Sequence, residues 1–216
     1  MKTDVIIVGG GHAGVEAALA ARRCAASVLL VTLDPAAIGR MSCNPSIGGL
    51  AKGQLAREVD ALGGLMGVAA DHAAMQFRML NTSKGPAVQS PRAQVDKDAY
   101  AAFVRSTLTG TEGITVVAGQ VASVLHGRGR LTGVELTDGS RLTASAVVLT
   151  TGTFLRGLMH VGDRQSAGGR VGEAPAAALS ASLSALGLDL VRLKTGTPPR
   201  VSAKTVDLSA LDHHLG

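Results

Sequence analysis

Aromatic side chains are nearly absent from this chain of 216 residues, which has no Trp, one Tyr and three Phe. That scarcity argues against a surface that recognises many bases by stacking them on aromatic rings. Cysteine is almost as rare. Cys24 and Cys43 are the two present, too few for a disulfide framework, so a reducing cytoplasm is the default setting. No apolar run reaches the ~18 residues of a membrane span. The apolar stretch after Lys2 is broken by Asp4, three glycines and Glu16, which sets it apart from a signal peptide. No His/Cys spacing suggests a metal site, and no Ser-His-Asp grouping is visible.

What the chain does have is apolar bulk and a moderate positive charge. A hydrophobic content of 46% is enough to bury the core of one large domain, or of one and a fraction. The formal net charge is +5 and the sequence pI about 9.7. This favours anionic partners without demanding nucleic acid, since a dinucleotide would suffice.

Residues 4–16 organise the rest. An apolar run stops at Gly9, Gly10 and Gly11 and then opens into an alanine-rich segment, the pattern of strand, tight turn and helix. Gly-x-Gly-x-x-Gly falls on Gly9, Gly11 and Gly14. The first glycine allows the turn, the second lets backbone approach a pyrophosphate, and the third lets helix pack on strand. The phosphates are expected at the N-terminus of a helix beginning near Ala13, where N–H groups and the macrodipole favour an anion. Helix is expected to continue over 15–26, with Cys24 packed inside, and a second parallel strand over 27–33. Thr32 stands where an acid for the ribose hydroxyls is usual, and Asp34 follows it. Either the Asp34 carboxylate or a hydroxyl serves the ribose.

Residues 35–49 read as a long irregular loop of the kind that compact domains keep for function. Leu55, Val59 and Leu62 then recur at helical spacing and predict an amphipathic helix ended by Gly63 and Gly64. Residues 69–80 are mixed. A second Pro- and Gly-punctuated loop is expected over 81–96, carrying Lys84 and Arg92. A helix over 97–109 should turn Tyr100, Phe103, Val104 and Leu108 toward the core, and a short strand should follow at 114–117. Residues 121–149 read as a β-meander in which Asp138-Gly139 marks a hairpin. Its last strand ends in Thr150-Thr-Gly-Thr153, a corner beside which a nucleotide could lie. A βαβ opening, a meander and a return strand together describe the FAD domain of a flavoprotein with two dinucleotide folds better than a plain NAD dehydrogenase. Residues 157–172 are glycine-rich and basic, 174–186 should be a helix of small residues, and the prolines near 198 place a boundary near residue 195. The expected organisation is an FAD-binding domain over 1–195 and the start of a second, incomplete domain over 196–216, in a chain that reads as truncated.

Cys43 lies a few residues before a predicted helix, with Arg40 and Lys52 nearby, a setting that can lower a thiol pKa and make a nucleophile or redox partner. A small buried loop residue is the alternative. Lys84 and Arg92 stand in a loop poor in acids, suited either to a phosphate of substrate or flavin or to plain solvation. His12, inside the glycine loop, is placed to contact cofactor or a neighbouring carbonyl.

Several stretches, among them Met-Ser-Cys-Asn-Pro-Ser-Ile-Gly-Gly around Cys43, Asn-Thr-Ser-Lys-Gly-Pro-Ala-Val-Gln-Ser-Pro-Arg-Ala-Gln at 81–94 and Arg-Leu-Lys-Thr-Gly-Thr-Pro-Pro-Arg at 192–200, give the chain a specific likeness. It resembles the N-terminal part of the MnmG (GidA) family, FAD-dependent enzymes that build the 5-carboxymethylaminomethyl group on the wobble uridine of certain tRNAs. The resemblance implies a glutathione-reductase-like FAD-binding Rossmann domain in the α/β class, a parallel sheet plus an antiparallel meander. It implies that Gly9, Gly10, Gly11, His12, Ala13 and Gly14 bind FAD, that Val121 contacts the adenine side through its backbone, and that Cys43 is the active-site cysteine. A family serine appears here as Ala176, so that FAD contact would be made by main chain. NADH as reductant, methylene-tetrahydrofolate as one-carbon donor, an MnmE-type GTPase partner and a homodimer of the full-length protein are implied as well. In that reaction a nucleophile, a role open to Cys43, adds transiently at C6 of uracil. The rival expectations are a flavin oxidoreductase acting on a small molecule and a non-catalytic nucleotide-binding fragment.

Overall fold

The computed structural model describes residues 2–24, 26–41, 44–169, 175–196 and 201–211. The chain opens as β1 (Lys2–Val8), α1 (His12–Arg23) and β2 (Val28–Thr32). It continues through β3 (Ser46–Gly48), α2 (Lys52–Ala61), α3 (Leu65–His72), β4 (Ala74–Leu80), β5 (Ser90–Val95) and α4 (Lys97–Gly110). Then come β6 (Ile114–Ala118), β7 (Val121–Gly127), β8 (Arg130–Leu136), β9 (Arg141–Leu149), β10 (Leu158–Val161), β11 (Arg164–Ala167) and α5 (Ala177–Ala185).

The main sheet has six strands in the order β6-β2-β1-β9-β8-β7. β1 runs parallel to β2 on one side and to β9 on the other, and β2 runs parallel to β6. The meander β7-β8-β9 is antiparallel and returns its last strand to the centre of the sheet. This is the parallel sheet plus meander expected from the sequence. Both faces are covered, as parallel strands require. Alternate residues of β1 and β2 divide between two cores. Ile7, Val28 and Leu30 join α1, α3 and α4 through Val15, Ala69, Tyr100 and Leu108. Ile6, Val8, Leu29 and Val31 join the meander and α5 through Val134, Leu136, Leu179 and Leu183. On α4, Tyr100, Val104 and Leu108 are buried as expected, and Asp96 accepts from the Asp98 and Ala99 N–H groups as its N-cap. Those two bonds hold the Asp96 carboxyl below its usual range.

Four local expectations are corrected. Leu55 on α2 and Leu62 at its C-cap are 61% and 79% exposed; the helix packs by its small residue Gly53, which lies against Ser90 and Pro91, instead of by its apolar stripe. The segment 35–49 holds a 3-10 turn at Pro35–Ala37 and the strand β3. Part of the loop expected over 81–96, Ser90–Val95, is β5. Pro91 fits there because it lies just beyond the β3 ladder, which ends at Arg92: its carbonyl accepts from the Gly49 N–H at 2.9 Å, and the Gly49 carbonyl accepts from the Ser90 hydroxyl in place of the N–H that proline lacks. Cys24 is exposed at the C-cap of α1, since six residues beyond Ala18 it has rotated off the buried Val15/Ala18 face. The basic stretch 157–172 likewise contains a hairpin, β10-β11, with residues 170–172 outside the described set. No helix among the described residues is long and apolar enough to cross a membrane.

Glu16 joins α1 to α3. Its two carboxylate oxygens accept from the Leu65 N–H (3.0 Å) and the Met66 N–H (2.6 Å), capping a helix whose own N-cap, Gly64, has no side chain to do so. Glu16→Ala is expected to lower unfolding free energy by about 1–2 kcal/mol through loss of the cap and its charge. A denaturant midpoint identical to wild type would show that the cap contributes nothing.

Candidate functional site

The ends of the three central strands make the site. In an open α/β sheet, a ligand crevice forms where neighbouring strands leave in opposite directions, beyond their carboxyl ends. Here the chain leaves β1 toward β2 and much later returns beside β1 as β9, so the residues after Val8 and after Leu149 meet. The Thr150 N–H donates to the Val8 carbonyl at 2.9 Å, and the Thr150 hydroxyl lies 2.8 Å from the same carbonyl and 3.2 Å from that of Gly9. Gly9 has φ +113, and a Cβ there would lie 2.5 Å from the Thr150 carbonyl oxygen. At Gly14 a Cβ would run into the Gly9 carbonyl oxygen. Strand end, turn and helix are thus in main-chain contact, which only glycine permits.

Beyond this corner opens a cavity of about 410 Å³, within the usual range for small-molecule and cofactor sites. Gly9 to His12 form one wall, and Thr150 to Phe154 border it from β9. Thr32 and Asp34 extend it from β2 and the turn after it, Arg40, Met41 and Asn44 from the segment leading into β3, Ser46 and Ile47 from β3 itself, and Gln120, Val121, Ala176 and Leu179 from the meander and α5. A Cβ on Gly11 would meet nothing within 4 Å, so the loop lies open to the cavity there. Gly11 caps α1 without a side-chain bond, and no acid stands in the first turn. The positive end of the helix is therefore left to a ligand. A main-chain cradle, a positive helix end and an elongated cavity fit a dinucleotide diphosphate.

The sequence-predicted residues fall into four groups. Gly9, Gly10, Gly11, His12, Val121 and Ala176 line the cavity. Gly14 is buried behind the turn, and Ala13 is exposed on the first turn of α1. Val121 opens β7 and is 3% exposed; the Ala176 N–H donates to the Phe154 carbonyl at 2.8 Å. Cys43 lies outside the described residues, while its sequence neighbours Met41 and Asn44 line the cavity. Lys84, in the turn between β4 and β5, and Arg92, on β5, are exposed and stand apart from the cavity wall.

Both candidates for the ribose line the cavity. Thr32 is nearly buried. Asp34 spends one oxygen on the Ala36 N–H at 2.8 Å, and its other oxygen lies 3.6 Å from Arg40 Nη2 in a half-exposed pair, worth at most about 1 kcal/mol. The His12 ring lies 5.5 Å from the Tyr100 ring. Burial, with the Glu16 carboxylate adding to it, pushes the Tyr100 hydroxyl far above its usual value near 10, so it stays protonated. Arg40, singled out beside Cys43, joins this wall as well. Gln120 and Leu179 have no local motif to mark them, and only the topology brings residues so distant along the chain to it.

The profile of the family described as "Glucose inhibited division protein A" matches residues 4–216. Among curated proteins, "tRNA uridine 5-carboxymethylaminomethyl modification enzyme MnmG" of Campylobacter hominis is 52% identical over all of this chain and 34% of its own length. The protein of the same name from Granulibacter bethesdensis is 54% identical over 99% of this chain and 34% of its own. Among solved structures, GidA of Aquifex aeolicus in its form I crystal superposes with a TM-score of 0.92 at 46% identity, covering 98% of this chain and 35% of that one. The chain spans about a third of the length of the curated relatives it matches. On these grounds it belongs to the glucose inhibited division protein A family.

Proposed function

We propose that this chain forms the FAD-binding part of an enzyme that installs the 5-carboxymethylaminomethyl group on the wobble uridine of tRNA. The observation that carries this reading is the glycine corner between β1, α1 and β9, which opens main-chain N–H groups onto the cavity. The names of the curated relatives supply the substrate class. In this reading the loop Gly9, Gly10, Gly11, His12 and Ala13 holds the FAD diphosphate, and Gly14 keeps the loop closed on the strand. Thr32 or Asp34 takes the ribose, and main chain at Val121 and Ala176 borders the adenine side. Bound flavin supplies the redox and one-carbon transfer chemistry, with NADH as reductant and methylene-tetrahydrofolate as carbon donor.

The protein's own residues position and exclude. The apolar wall of Val8, Val31, Ile47 and Leu179 keeps bulk water from the cofactor, which strengthens each hydrogen bond made there. Cys43 is the nucleophile for uracil C6, a role supported by the place of Met41 and Asn44 on the cavity wall. Lys84 and Arg92 serve the RNA. An MnmE-type GTPase partner, a homodimer and a cytoplasmic setting complete the reading. A division into 1–195 and 196–216 is supported by the segment 188–196, which has no regular structure and leaves Val191 and Leu193 80% and 84% exposed.

Titration of the purified chain with FAD tests the proposal. Saturable binding with perturbed flavin absorbance and competition by ADP is expected. A chain that binds neither FAD nor ADP at millimolar concentration would sink it.

A further inference from the structure

The small sheet β3-β5-β4 carries two cations that the fold does not neutralise. Arg78 on β4 stands in register with Arg92 on β5, and Arg92 in turn with Gly48 on β3. Residues directly opposite in a ladder project from one face with Cβ atoms about 5 Å apart, and like charges so placed repel. Among the described residues neither arginine enters an ion pair. With the described residues the Arg92 side chain makes one hydrogen bond, a long one of 3.4 Å from Nη2 to Gln94 Oε1. Both side chains are exposed. A repulsive pair on an open face is a ready site for a shared anion, and two guanidinium forks match a phosphate.

The pair also stands next to the cavity. One step along the same face, Ser46 pairs with Gln94 and Gln94 with Gln76, and Ser46 belongs to the cavity wall. Two residues along the strand and one strand spacing across put Arg92 ~8 Å from Ser46, and a second strand spacing puts Arg78 ~12 Å from it. Neither arginine lines the cavity, and the helix end of α1 already serves a cofactor diphosphate. The anion at the arginines therefore belongs to whatever approaches the cavity from outside.

We propose that Arg78 and Arg92 together clamp a backbone phosphate of the RNA whose base enters the cavity. This rests on the tRNA reading above and adds Arg78, which no motif picks out. The test compares the chain with Arg78→Gln, Arg92→Gln and the double variant, measuring binding of an unmodified tRNA transcript between 50 and 200 mM salt, and FAD affinity in parallel. Each single change should lower the salt slope by about one. The double variant should bind tRNA on the order of tenfold more weakly at fixed salt. FAD affinity should hold, and the variants should melt no lower than wild type, because a like-charge pair has been relieved. Wild-type tRNA affinity in the double variant, or no tRNA binding by the parent chain, overturns the clamp. A fall in FAD affinity overturns it too, by assigning the pair to the cofactor. Failure of the parent to bind FAD, with tRNA binding still sensitive to the arginines, would instead defeat the cofactor reading and leave the clamp standing.

Discussion

Gly14→Ala is expected to cost the chain its FAD. The added methyl would collide with the Gly9 carbonyl oxygen and come within 2.8 Å of the Thr150 hydroxyl oxygen, so α1 must move off the end of β1. Overpacking of this kind costs about 1–3 kcal/mol of stability. It also turns the first-turn N–H groups away from the ligand. Losing two charge-assisted bonds to a diphosphate lowers affinity on the order of 100-fold or more. Gly11→Ala is the matched control, because its methyl meets nothing within 4 Å. It should leave the melting temperature within the range of a neutral surface change, roughly ±0.5 kcal/mol, yet weaken FAD by filling ligand space. Equal FAD affinity in wild type, Gly14→Ala and Gly11→Ala, measured by flavin fluorescence, would refute the cradle.

Leu30→Ala should be the most damaging single truncation in the core. Leu30 is fully buried on β2, in register with Ile7 on β1, and is walled by helices on its face of the sheet. Removing it should lower unfolding free energy by about 2–5 kcal/mol, seen as a lower urea midpoint at unchanged slope. Leu55→Ala should change stability by less than about 0.5 kcal/mol, since Leu55 is 61% exposed. Comparable losses in the two variants would mean that the apolar stripe of α2 is buried after all.

The contrast between those leucines shows where sequence patterns carry information. On β2 the run Val28 to Val31 has helices on one face and the meander on the other, so an unbroken apolar string reads correctly as a central strand. The glycine spacing reads correctly although its contacts differ in range: Gly14 answers Gly9, five residues back, while Gly9 answers Thr150, far along the chain. On α2 the apolar spacing misleads, because the helix uses Gly53 for its closest approach and periodicity cannot weigh a residue without a side chain. Over β5 the sequence reads as loop because Pro91 counts against a strand, and nothing local shows that the Ser90 hydroxyl takes the acceptor left by the missing N–H. On the far wall of the cavity the Thr150–Thr153 corner is legible as a strand end and Ala176 through the family resemblance, whereas Gln120 carries no local mark and reaches the wall only through the order of strands in the sheet.

The bond from the Thr150 hydroxyl to Val8 spans 142 positions of sequence. During synthesis β1 therefore emerges long before its second neighbour and keeps one row of amides and carbonyls uncovered, a ready template for misplaced pairing. At the usual pace of translation that interval lasts roughly 7–28 seconds. A nascent chain interrupted before β9 would hold the glycine signature intact and have no floor beneath it, so completion of the nucleotide corner is a late event in the life of the polypeptide.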